Sequence, residues 1–470
     1  MEGLEAAVIP FSQLERTARF DAEYFQHRFI ASASLVANLA TSDVASLVAV
    51  SDGNHFSISE DFVEEGIPYY RGQDVVGTFF IETAAPNFIT KEAFERPYMT
   101  RSHLKKGDVL LSIVGTIGEL SLVGTDAPQT CSCKLAILRP HSISAELLAI
   151  FLQSEHGRNQ VERLTRGAIQ KSLLLEDMDQ LSVPAFSDDF SKLISELVFS
   201  SRFQLERMHA KQSKAETLLI EALGLTNWNP PEQLSYIASS KDAFAAGRLD
   251  AQYFMPAKRL VRDALSGMPG QALGKRFDSI RDVFDPKSDD APPLVRNYDV
   301  TDALQPVLDD GKSPVTPEEI GSMKKVFKDG DVAISRLRAY LREIAVVRTS
   351  GTLPSVGSSE FIVLRPSNSG ESQIAPETLL TFLRSKPVQT ILKWCQDGSQ
   401  HPRFSERDLL SIHVPDAVAD ASSRIEEVVK QGFTARSRAR ELLDRAKRAV
   451  EIAIEDNEAS ASQFLESTGE

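Results

Sequence analysis

The sequence repeats itself at an interval of about 230 residues, and this internal duplication limits the possible folds more than any other feature. The matching segments occur in the same order in both halves. The intervals between them drift by a few residues, as loop insertions would cause. We therefore predict two structural repeats with the same plan. The matched segments are residues 19–25 with 248–254, 106–109 with 329–332, 136–140 with 362–366, and 167–184 with 398–415.

Each half shows the same succession of predicted elements. An opening segment with a short helix carries the sequence Asp-Ala-x-Tyr-Phe. Short apolar runs bounded by Gly, Pro and Ser follow, at 108–114, 121–123 and 135–138 in the first half, and are typical of strands. A helix at 145–157, a glycine turn and a Val-Pro strand end come next, and one long helix closes each half. The predicted fold class is α+β, a tandem repeat of two β-rich domains, each followed by a long helix.

Apolar or small side chains recur at steps of three and four along both closing helices, which is the pattern of a coiled-coil seam. Ser187 is the predicted N-cap of the first helix and Gly224 its stop. Because a single seam on a helix of roughly 50 Å needs a partner, we expect the two helices to pair. Packing of each helix on its own domain is the alternative. The seam residues are Ile194, Leu197, Ser201, Leu205, Met208, Ala215, Leu219 and Ala222, then Ile425, Val428, Ala435, Ala439, Leu442, Ala446 and Ala449.

Charge is distributed unevenly along this acidic chain, whose formal net charge is −14. Residues 451–470 carry acidic side chains and neither Lys nor Arg, whereas basic residues outnumber acidic ones in 324–348. Local patches rather than net charge decide whether a protein binds phosphates. The overall acidity therefore weakens, but does not exclude, a nucleic-acid partner.

Several classes of protein are disfavoured by the composition. No apolar stretch is long enough to predict a transmembrane helix, and the acidic N-terminus is unlike a secretory signal. Three cysteines cannot build a disulfide framework, and Cys131 and Cys133 lack a second pair of zinc ligands. We expect a cytoplasmic chain that holds no metal.

Catalysis is not predicted either. Asn229 opens an Asn-Pro-Pro-Glu sequence that resembles the Asn-Pro-Pro-aromatic motif of amino-methyltransferases. It follows a helix stop instead of a strand, and Glu232 replaces the aromatic residue that should stack on a flipped base. The segment 270–276 is one residue too short between its glycines for a phosphate loop. We expect the chain to be no enzyme and to bind no cofactor itself.

Basic and polar residues recur near equivalent loops of the two halves, and they are the predicted contacts to double-stranded DNA. Arg and Lys can contact guanine, Asn and Gln can contact adenine, and all of them can hold phosphates. A solvated surface charge is the alternative for any single lysine. The predicted DNA-binding residues are Tyr70, Arg71, Gln73, Arg101, His103, Lys105, Lys106, Thr116, Arg163, Arg166, Gln170 and Lys171 in the first half. In the second half they are Arg296, Asn297, Tyr298, Lys324, Lys325, Arg336, Arg338, Arg342, Gln396, Ser399, Gln400, His401 and Arg403.

With these segments in their observed order, the chain resembles the specificity subunits of type I restriction-modification systems. The local signatures are Tyr70-Arg-Gly-Gln-Asp-Val, Lys106-Gly-Asp-Val, Gly115-Thr-Ile-Gly, Leu138-Arg-Pro and the glycine turn that leads to Val183-Pro. The second half departs from them, since Ser335-Arg-Leu-Arg-Ala-Tyr replaces Gly-x-x-Gly and Arg296-Asn-Tyr-Asp-Val replaces Arg-Gly-Gln-Asp-Val. The departures predict that the two domains read different half-sites.

The resemblance implies two target-recognition domains and two long helices that pair antiparallel as a coiled-coil spacer. It implies a methyltransferase subunit as a partner, with S-adenosylmethionine bound on that subunit, and a translocating nuclease subunit as a further possible partner. The predicted boundaries are 1–186 and 248–416 for the recognition domains, 187–224 and 417–456 for the helices, 225–247 for a linker and 457–470 for an acidic tail. A non-catalytic protein-interaction scaffold of a defence complex is the alternative function.

Overall fold

The chain is a mixed α and β protein that divides into two compact units. The computed structural model describes residues 6–11, 14, 19–84, 86–167, 171–230, 233, 235–367 and 374–467. Unit 1 comprises Met1–Gln204 with Arg438–Glu470, and unit 2 comprises Leu205–Ser437. Both boundaries fall inside the long helices, so each unit holds one set of sheets and one end of each helix. Among the described helices, none has the length and apolar character needed to cross a membrane.

Unit 1 begins with a 3₁₀ turn at Ala22–Phe25. Its helices are α1 (His27–Ala37), α2 (Val44–Leu47), α3 (Lys91–Phe94), α4 (Ala145–Gln153) and α5 (Glu155–Leu164), followed by the start of α6 (Asp188–Ala222). Its strands are β1 (Thr41–Asp43), β2 (Val48–Asp52), β3 (Phe62–Val63), β4 (Ile67–Tyr70), β5 (Asn87–Ile89), β6 (Val109–Ser112), β7 (Leu120–Leu122), β8 (Thr130–Cys131), β9 (Leu135–Pro140) and β10 (Ser182–Pro184). They form sheets of order β2-β9-β6-β7, β3-β5-β4-β8 and β1-β10.

Unit 2 has its 3₁₀ turn at Ala251–Phe254. Its helices are α7 (Ser240–Ala246), α8 (Pro256–Ser266), α9 (Leu273–Arg276), α10 (Pro376–Arg384), α11 (Lys386–Lys393), α12 (Glu406–Leu410) and α13 (Asp416–Asp420), followed by the start of α14 (Ser422–Glu455). Its strands are β11 (Gly270–Ala272), β12 (Phe277–Ile280), β13 (Val283–Phe284), β14 (Arg296–Tyr298), β15 (Val307–Asp309), β16 (Lys324–Phe327), β17 (Val332–Ser335), β18 (Ile344–Arg348), β19 (Ser355–Gly357), β20 (Phe361–Pro366) and β21 (His413–Pro415).

The central sheets of the two units have corresponding strand orders. The antiparallel order β2-β9-β6-β7 of unit 1 matches β12-β20-β17-β18 of unit 2, where β15 adds a parallel strand at the edge. In both units a second sheet of four strands contains one parallel pair, β4 with β8 and β14 with β19. These second sheets differ in strand order, which is β3-β5-β4-β8 in unit 1 and β13-β16-β19-β14 in unit 2.

An ion pair between a buried aspartate and a partly exposed arginine explains why the Gly-Asp-Val and Leu-Arg-Pro segments occur in both halves. The Asp108 carboxylate, at the start of β6, accepts two hydrogen bonds from the Arg139 guanidinium on β9, both of 2.7 Å. Asp331 and Arg365 repeat this bidentate pair in unit 2 at 2.7 and 2.8 Å. Each aspartate also accepts the backbone N–H three residues before it. The pair fixes the turn that enters the strand and ties that strand to its neighbour.

Within each unit the ends of the two long helices pack against one another. In unit 1 the buried Ser201 hydroxyl donates to the Ala439 carbonyl at 2.9 Å. In unit 2 Lys211 contacts Gln431. Farther along α6, Leu219 shares a hydrophobic cluster with Ile425 near the start of α14, so the helices run antiparallel there. This cluster also includes residues of β17, β18, α10 and α11, so the helix ends belong to the core of unit 2.

The predicted ends of the first long helix are confirmed. The Ser187 hydroxyl accepts the Phe190 N–H at 3.2 Å, as an N-cap does. Gly224 adopts a left-handed φ of +62°, and the Leu225 N–H bonds the Ile220 carbonyl, which ends the helix. Most of the predicted seam is buried, but Ala222 is exposed and Leu223 takes the inward position.

The predicted acidic tail is in fact helical over most of its length. Residues 458–467 form α15 (Glu458–Ser467), whose Ala461 and Leu465 are buried. The Glu458 carboxylate accepts the Ser187 N–H at 2.8 Å, next to the start of α6. The negative side chain therefore lies at the positive end of a helix dipole. The helix that spans most of this predicted tail is thus part of the packing of unit 1.

The buried ion pair predicts a large stability difference between two neighbouring aspartates. Asp331→Asn should lower the free energy of unfolding of unit 2 by about 2–4 kcal/mol, because Arg365 loses a buried charged acceptor. Asp329→Asn is the matched control. Its side chain is 57% exposed and pairs with Arg348 at 3.3 Å, so its loss should cost less than about 1 kcal/mol. Denaturant unfolding followed by circular dichroism measures both, and equal losses would contradict the assignment.

Candidate nucleic-acid interface

In unit 1, two loops meet at the end of β6. The loop 115–118 follows the strand, and the segment 166–172 lies beside it. Val114 forms a β-bridge with Ser172, and Arg166 and Ser172 exchange backbone hydrogen bonds of 2.8 Å. We call residues 115–118 and 166–172 the unit 1 loop pair. Residues 168–170 lie outside the described residues, and the predicted DNA contact Gln170 is one of them.

In unit 2, the equivalent loops meet at the end of β17. Arg338 donates its backbone N–H to the Pro402 carbonyl at 2.8 Å, and the Phe404 N–H bonds the Arg336 carbonyl at 3.1 Å. Asp397 and Arg403 exchange backbone hydrogen bonds of 2.8 Å, which closes the second loop. We call residues 336–342 and 397–403 the unit 2 loop pair. Each unit thus presents two loops that are joined by backbone hydrogen bonds.

The repeated Asp-Ala-x-Tyr-Phe segments hold the base of the second loop in each pair. Arg19, two residues before the first aspartate, donates to the Thr165 carbonyl at 3.3 Å. Arg248 donates to the carbonyls of Cys395 and Gln396, both at 3.0 Å. Each arginine also pairs with its aspartate at 2.6–2.7 Å and lies over the tyrosine ring of the segment. The sequence showed that these segments recur, and the structure gives them this role.

Arginine occupies left-handed backbone positions in unit 2 where unit 1 has glycine. Gly115 and Gly118 have φ values of +84° and +86°, and Arg338 and Arg342 have φ values of +48° and +54°. The hydrogen bonds that flank these loops correspond. In unit 1 the Ser112 N–H bonds the carbonyl of residue 119 at 2.8 Å, and in unit 2 the Ser335 N–H bonds the carbonyl of residue 343 at 2.9 Å. The unit 2 loop is one residue longer. A side chain in this region costs about 1–3 kcal/mol per residue, a cost that glycine avoids.

Glu360 joins the two loops of unit 2. It accepts hydrogen bonds from the Arg403 guanidinium, the shortest of 2.8 Å, and from Arg336 Nε at 3.0 Å. The hydrogen bond from Arg403 holds the pKa of Glu360 below its usual value, and Arg336 acts in the same direction. Arg338 contacts the ring of His401 at 3.1 Å. Sequence reasoning found the arginines but not Glu360, which lies on neither loop and has no counterpart among the matched segments.

The predicted residues of unit 1 divide between the loop pair and other places. Thr116 is at the loop and donates its hydroxyl to the Gly72 carbonyl at 2.9 Å. This bond brings the adjoining Arg71 and Gln73 to the loop pair. Arg166 pairs with the buried Asp177 at 2.5 Å. Lys171 is exposed in the loop pair. Arg163 lies outside it, where its guanidinium bonds the Tyr24 carbonyl at 3.1 Å and lies over the Tyr24 ring.

Three predicted contacts belong to the interior and are corrected. Tyr70 and Tyr298 are only 3% and 2% exposed. Burial raises the pKa of both hydroxyls, that of Tyr298 to about 12. The Arg296 side chain is 12% exposed and pairs with Asp310 at 3.2 Å. These strand residues are apolar or paired on their inner face, so they support the loops and do not reach a ligand. Asn297, on the same strand, is partly buried.

The basic residues before Gly-Asp-Val lie at the wrong end of the strand for the loop pairs. Lys105 and Lys106 precede β6, and the loop 115–118 follows it, with roughly 10 Å of strand between. Arg101 pairs with Asp52, and His103 stacks on Phe94 at 3.8 Å. Lys324 and Lys325 lie within β16, so they do not occupy the turn equivalent to Lys105 and Lys106. A residue that is close to a strand in sequence can lie at either end of it, and these residues lie at the end away from the loop pair.

The alignment of Arg-Gly-Gln-Asp-Val with Arg-Asn-Tyr-Asp-Val is also corrected. In unit 1, Asp74 accepts the backbone N–H of Arg71 at 2.8 Å in a capping box. In unit 2, Asp302 accepts that of Asp299 at 2.7 Å in the same arrangement. Asp299 therefore replaces Arg71, and the sequence match was displaced by three residues. The partly exposed Arg71 guanidinium beside the first loop has a carboxylate as its counterpart in unit 2.

The unit 2 loop pair carries an aromatic residue that sequence reasoning missed. Tyr340 is 58% exposed between Arg338 and Arg342, above a buried Ala339. Ser399, Gln400 and His401 are exposed on the neighbouring loop. The Gln396 amide bonds the Pro402 carbonyl at 3.2 Å. Arginines, amides and an exposed ring on a fixed loop can contact base edges and phosphates. Among the described residues, no cluster of His, Cys, Asp or Glu could hold a metal ion.

The ion pairs of Glu360 predict a pH-dependent loop. Because the folded-state pKa is lowered, the stabilisation is present at neutral pH and is lost as the pH falls below the usual Glu value of about 4.3. At pH 7, Glu360→Gln should speed hydrogen exchange at the Asp397 and Arg403 amides by about tenfold. The difference from wild type should shrink as the pH falls through the lowered folded-state pKa of Glu360. Glu426→Gln, which removes a surface pair with Lys430, is the control, and a difference that persists at low pH would contradict this role.

Comparisons with known proteins find remote structural likeness only. No protein-family model matches the chain. No curated protein matches it significantly. The S subunit of the type I restriction-modification system from M. genitalium is 15% identical, with 87% of this chain and 95% of that chain covered and a TM-score of 0.38. The HsdS subunit from Thermoanaerobacter tengcongensis is 15% identical, with 89% and 97% covered and a TM-score of 0.29.

A third solved structure is similar over a smaller region. The type IIG restriction endonuclease BpuSI is 13% identical, with 39% of this chain and 29% of that chain covered and a TM-score of 0.30. All three TM-scores are below 0.5. The S subunit from M. genitalium and the HsdS subunit from Thermoanaerobacter tengcongensis each match over most of this chain, whereas BpuSI matches over less than half of it.

Proposed function

We propose that the chain is the DNA-specificity subunit of a restriction-modification or related phage-defence complex. In this role it binds double-stranded DNA and performs no catalysis. The observation that carries the proposal is the pair of hydrogen-bonded loops at the end of β6 in unit 1 and of β17 in unit 2. The frameworks correspond, but the side chains on the loops differ. Such an arrangement suits a protein that reads two sequences with two copies of one fold.

We propose further that the DNA site is bipartite. The loops of unit 1 offer Arg71, Gln73 and Lys171, whereas those of unit 2 offer several arginines and Tyr340. Different donors recognise different base edges, so the half-sites should differ. The long helices, α6 of 35 and α14 of 34 residues, act in this proposal as the spacer that sets the unread gap.

In the same proposal, the partner is a methyltransferase subunit that holds S-adenosylmethionine, with a translocating nuclease subunit as a further partner. The local resemblance of the sequence motifs supports this assignment. A scaffold that binds only proteins is the second candidate, and the net charge of −14 favours it. Salt separates the two. DNA affinity that depends on phosphate contacts falls steeply with salt concentration, whereas a scaffold would select no DNA sequence.

Selection from a random duplex library tests DNA recognition. The purified chain, alone and with its methyltransferase subunit, should enrich two short conserved half-sites separated by an unread gap of constant length. The apparent affinity for the selected duplex should fall as the salt concentration rises. A scrambled duplex of the same length is the control. Equal binding of both duplexes, or one continuous conserved motif, would count against the proposal.

Shortening both helices tests the spacer. Deletion of residues 203–209 together with 432–438 removes seven residues from each helix and about 10 Å of length, and it keeps the seam on one face. The selected gap should shorten, or simultaneous binding of both half-sites should be lost while each half-site alone is still bound. Deletion of residues from the segment 225–230, outside both helices, is the control. An unchanged gap with full affinity would show that the helices do not set it.

Methyl transfer tests the absence of catalysis. The purified chain should transfer no label from S-adenosylmethionine to the selected duplex, because the Asn-Pro-Pro-Glu sequence at Asn229 lacks the aromatic residue that a flipped base requires. Addition of the methyltransferase subunit should restore transfer and serves as the positive control. Labelled DNA from the purified chain alone would refute a non-catalytic role.

A further inference from the structure

We infer that Arg342 reads a guanine in the half-site of unit 2, and that Tyr340 contacts the DNA beside it. This inference rests on the proposed function and deepens it. It also divides the arginines of the unit 2 loop pair into two groups. Arg336 and Arg403 hold the loops together through Glu360, and Arg342 is the residue that meets the base.

The first argument is conformational. Arg342 occupies the left-handed position that unit 1 gives to Gly118, and in both units the carbonyl of the next residue accepts the equivalent serine N–H. Glycine would serve the fold there without strain. A strained residue persists where the surrounding structure holds it in place, and such residues cluster at functional sites. Among the described residues, no contact of the Arg342 side chain explains why this strained position holds an arginine. We therefore look for the reason in a ligand of the guanidinium.

The second argument concerns the partners of the guanidinium. Arg342 is exposed, and the described residues provide no carboxylate within ion-pair distance of it. One charged group near it is Arg384, whose pKa is lowered to about 9 by burial and further lowered by the charge of Arg342. Arg384 is itself occupied by the carbonyls of Ile344 and Ala303. The Arg342 guanidinium thus has a like charge near it and, within the part of the chain that the structure describes, no carboxylate partner, as a residue that binds an external acceptor would.

The third argument concerns the surroundings. Tyr340 exposes 58% of its surface two residues before Arg342, while Ala339 is buried and anchors the turn. The exposed Tyr340 ring can make apolar contact with a base or a sugar. The neighbouring Arg342 guanidinium can donate two hydrogen bonds to one acceptor edge. Arg can bond O6 and N7 of guanine together in the major groove, the commonest specific arginine contact. A phosphate would accept the same charge without requiring this geometry.

The test compares Arg342→Gly with Arg342→Lys in the random-duplex selection. The glycine variant restores the residue type that unit 1 has at this position, so its melting temperature without DNA should be equal to or higher than that of wild type. It should lose the preference for guanine at one position of the second half-site by about 10- to 100-fold, and the first half-site should be unchanged. The lysine variant keeps the charge but not the paired donors, so it should lose the same preference.

Two further variants complete the design. Tyr340→Ala should weaken binding of the second half-site and leave the guanine preference in place. Arg281→Ala, which removes an arginine that is 80% exposed and pairs with Glu406, should change neither. If Arg342→Lys keeps the guanine preference while Arg342→Gly lowers affinity for all sequences equally, Arg342 binds phosphate and the inference is overturned.

Other outcomes also decide the inference. A clear fall in melting temperature for Arg342→Gly would show that the arginine stabilises the fold, and would overturn the strain argument. Loss of binding to the methyltransferase subunit with unchanged DNA selectivity would assign Arg342 to a protein interface instead. If wild type selects a bipartite site and Arg342→Gly selects the same one, only the inference fails. If wild type selects no sequence, the proposed function fails as well.

Discussion

The buried pair of an aspartate at the start of one strand and an arginine on its neighbour is the interaction on which the rest of each unit depends. Asp108 with Arg139, and Asp331 with Arg365, fix where β6 and β17 begin. Since a strand has a fixed rise per residue, fixing its start also fixes where its far end emerges from the sheet. The loops that carry the candidate interface emerge there. An ion pair at one end of the strand thus positions the candidate interface at the other.

A framework held in this way lets the loops vary. The hydrogen bonds on both sides of residues 115–118 recur around 338–342, although the backbone between them is one residue longer and glycines are exchanged for arginines. Asp299 stands in the place of Arg71 within the same capping box. The two units therefore carry their positive side chains on different loops, although the hydrogen bonds that hold those loops are the same. Two units with the same framework can in this way present different side chains on their loops while the core is retained.

Elements that depend on a local sequence pattern were predicted from the sequence. Residue roles that depend on tertiary contacts were not. Recurring motifs located β6, β9, β17 and β20, and the Ser187 cap and the Gly224 stop follow from local hydrogen bonding. The Asp-Val pair at 299–300 imitated that at 74–75, and only the capping hydrogen bonds reveal the displacement. Tyr70 and Tyr298 flank polar residues in sequence but point into the core. Nothing local marks Glu360 as the partner of two distant arginines.

The acidity of the chain, which seemed to oppose DNA binding, is consistent with selective binding. Phosphate contacts supply most of the affinity of non-specific complexes, so a surface of net charge −14 disfavours DNA except where arginines are concentrated. At the unit 2 loop pair, Glu360 already occupies Arg336 and Arg403, which lowers the charge available to any phosphate. In the proposed function, the other donors of the loop pair are held in fixed positions, so they bind a base edge only where its acceptors match them. Specificity is the ratio of the affinity for the correct site to the affinity for other DNA. Lowering the affinity for other DNA therefore raises specificity as effectively as adding a contact to the correct site.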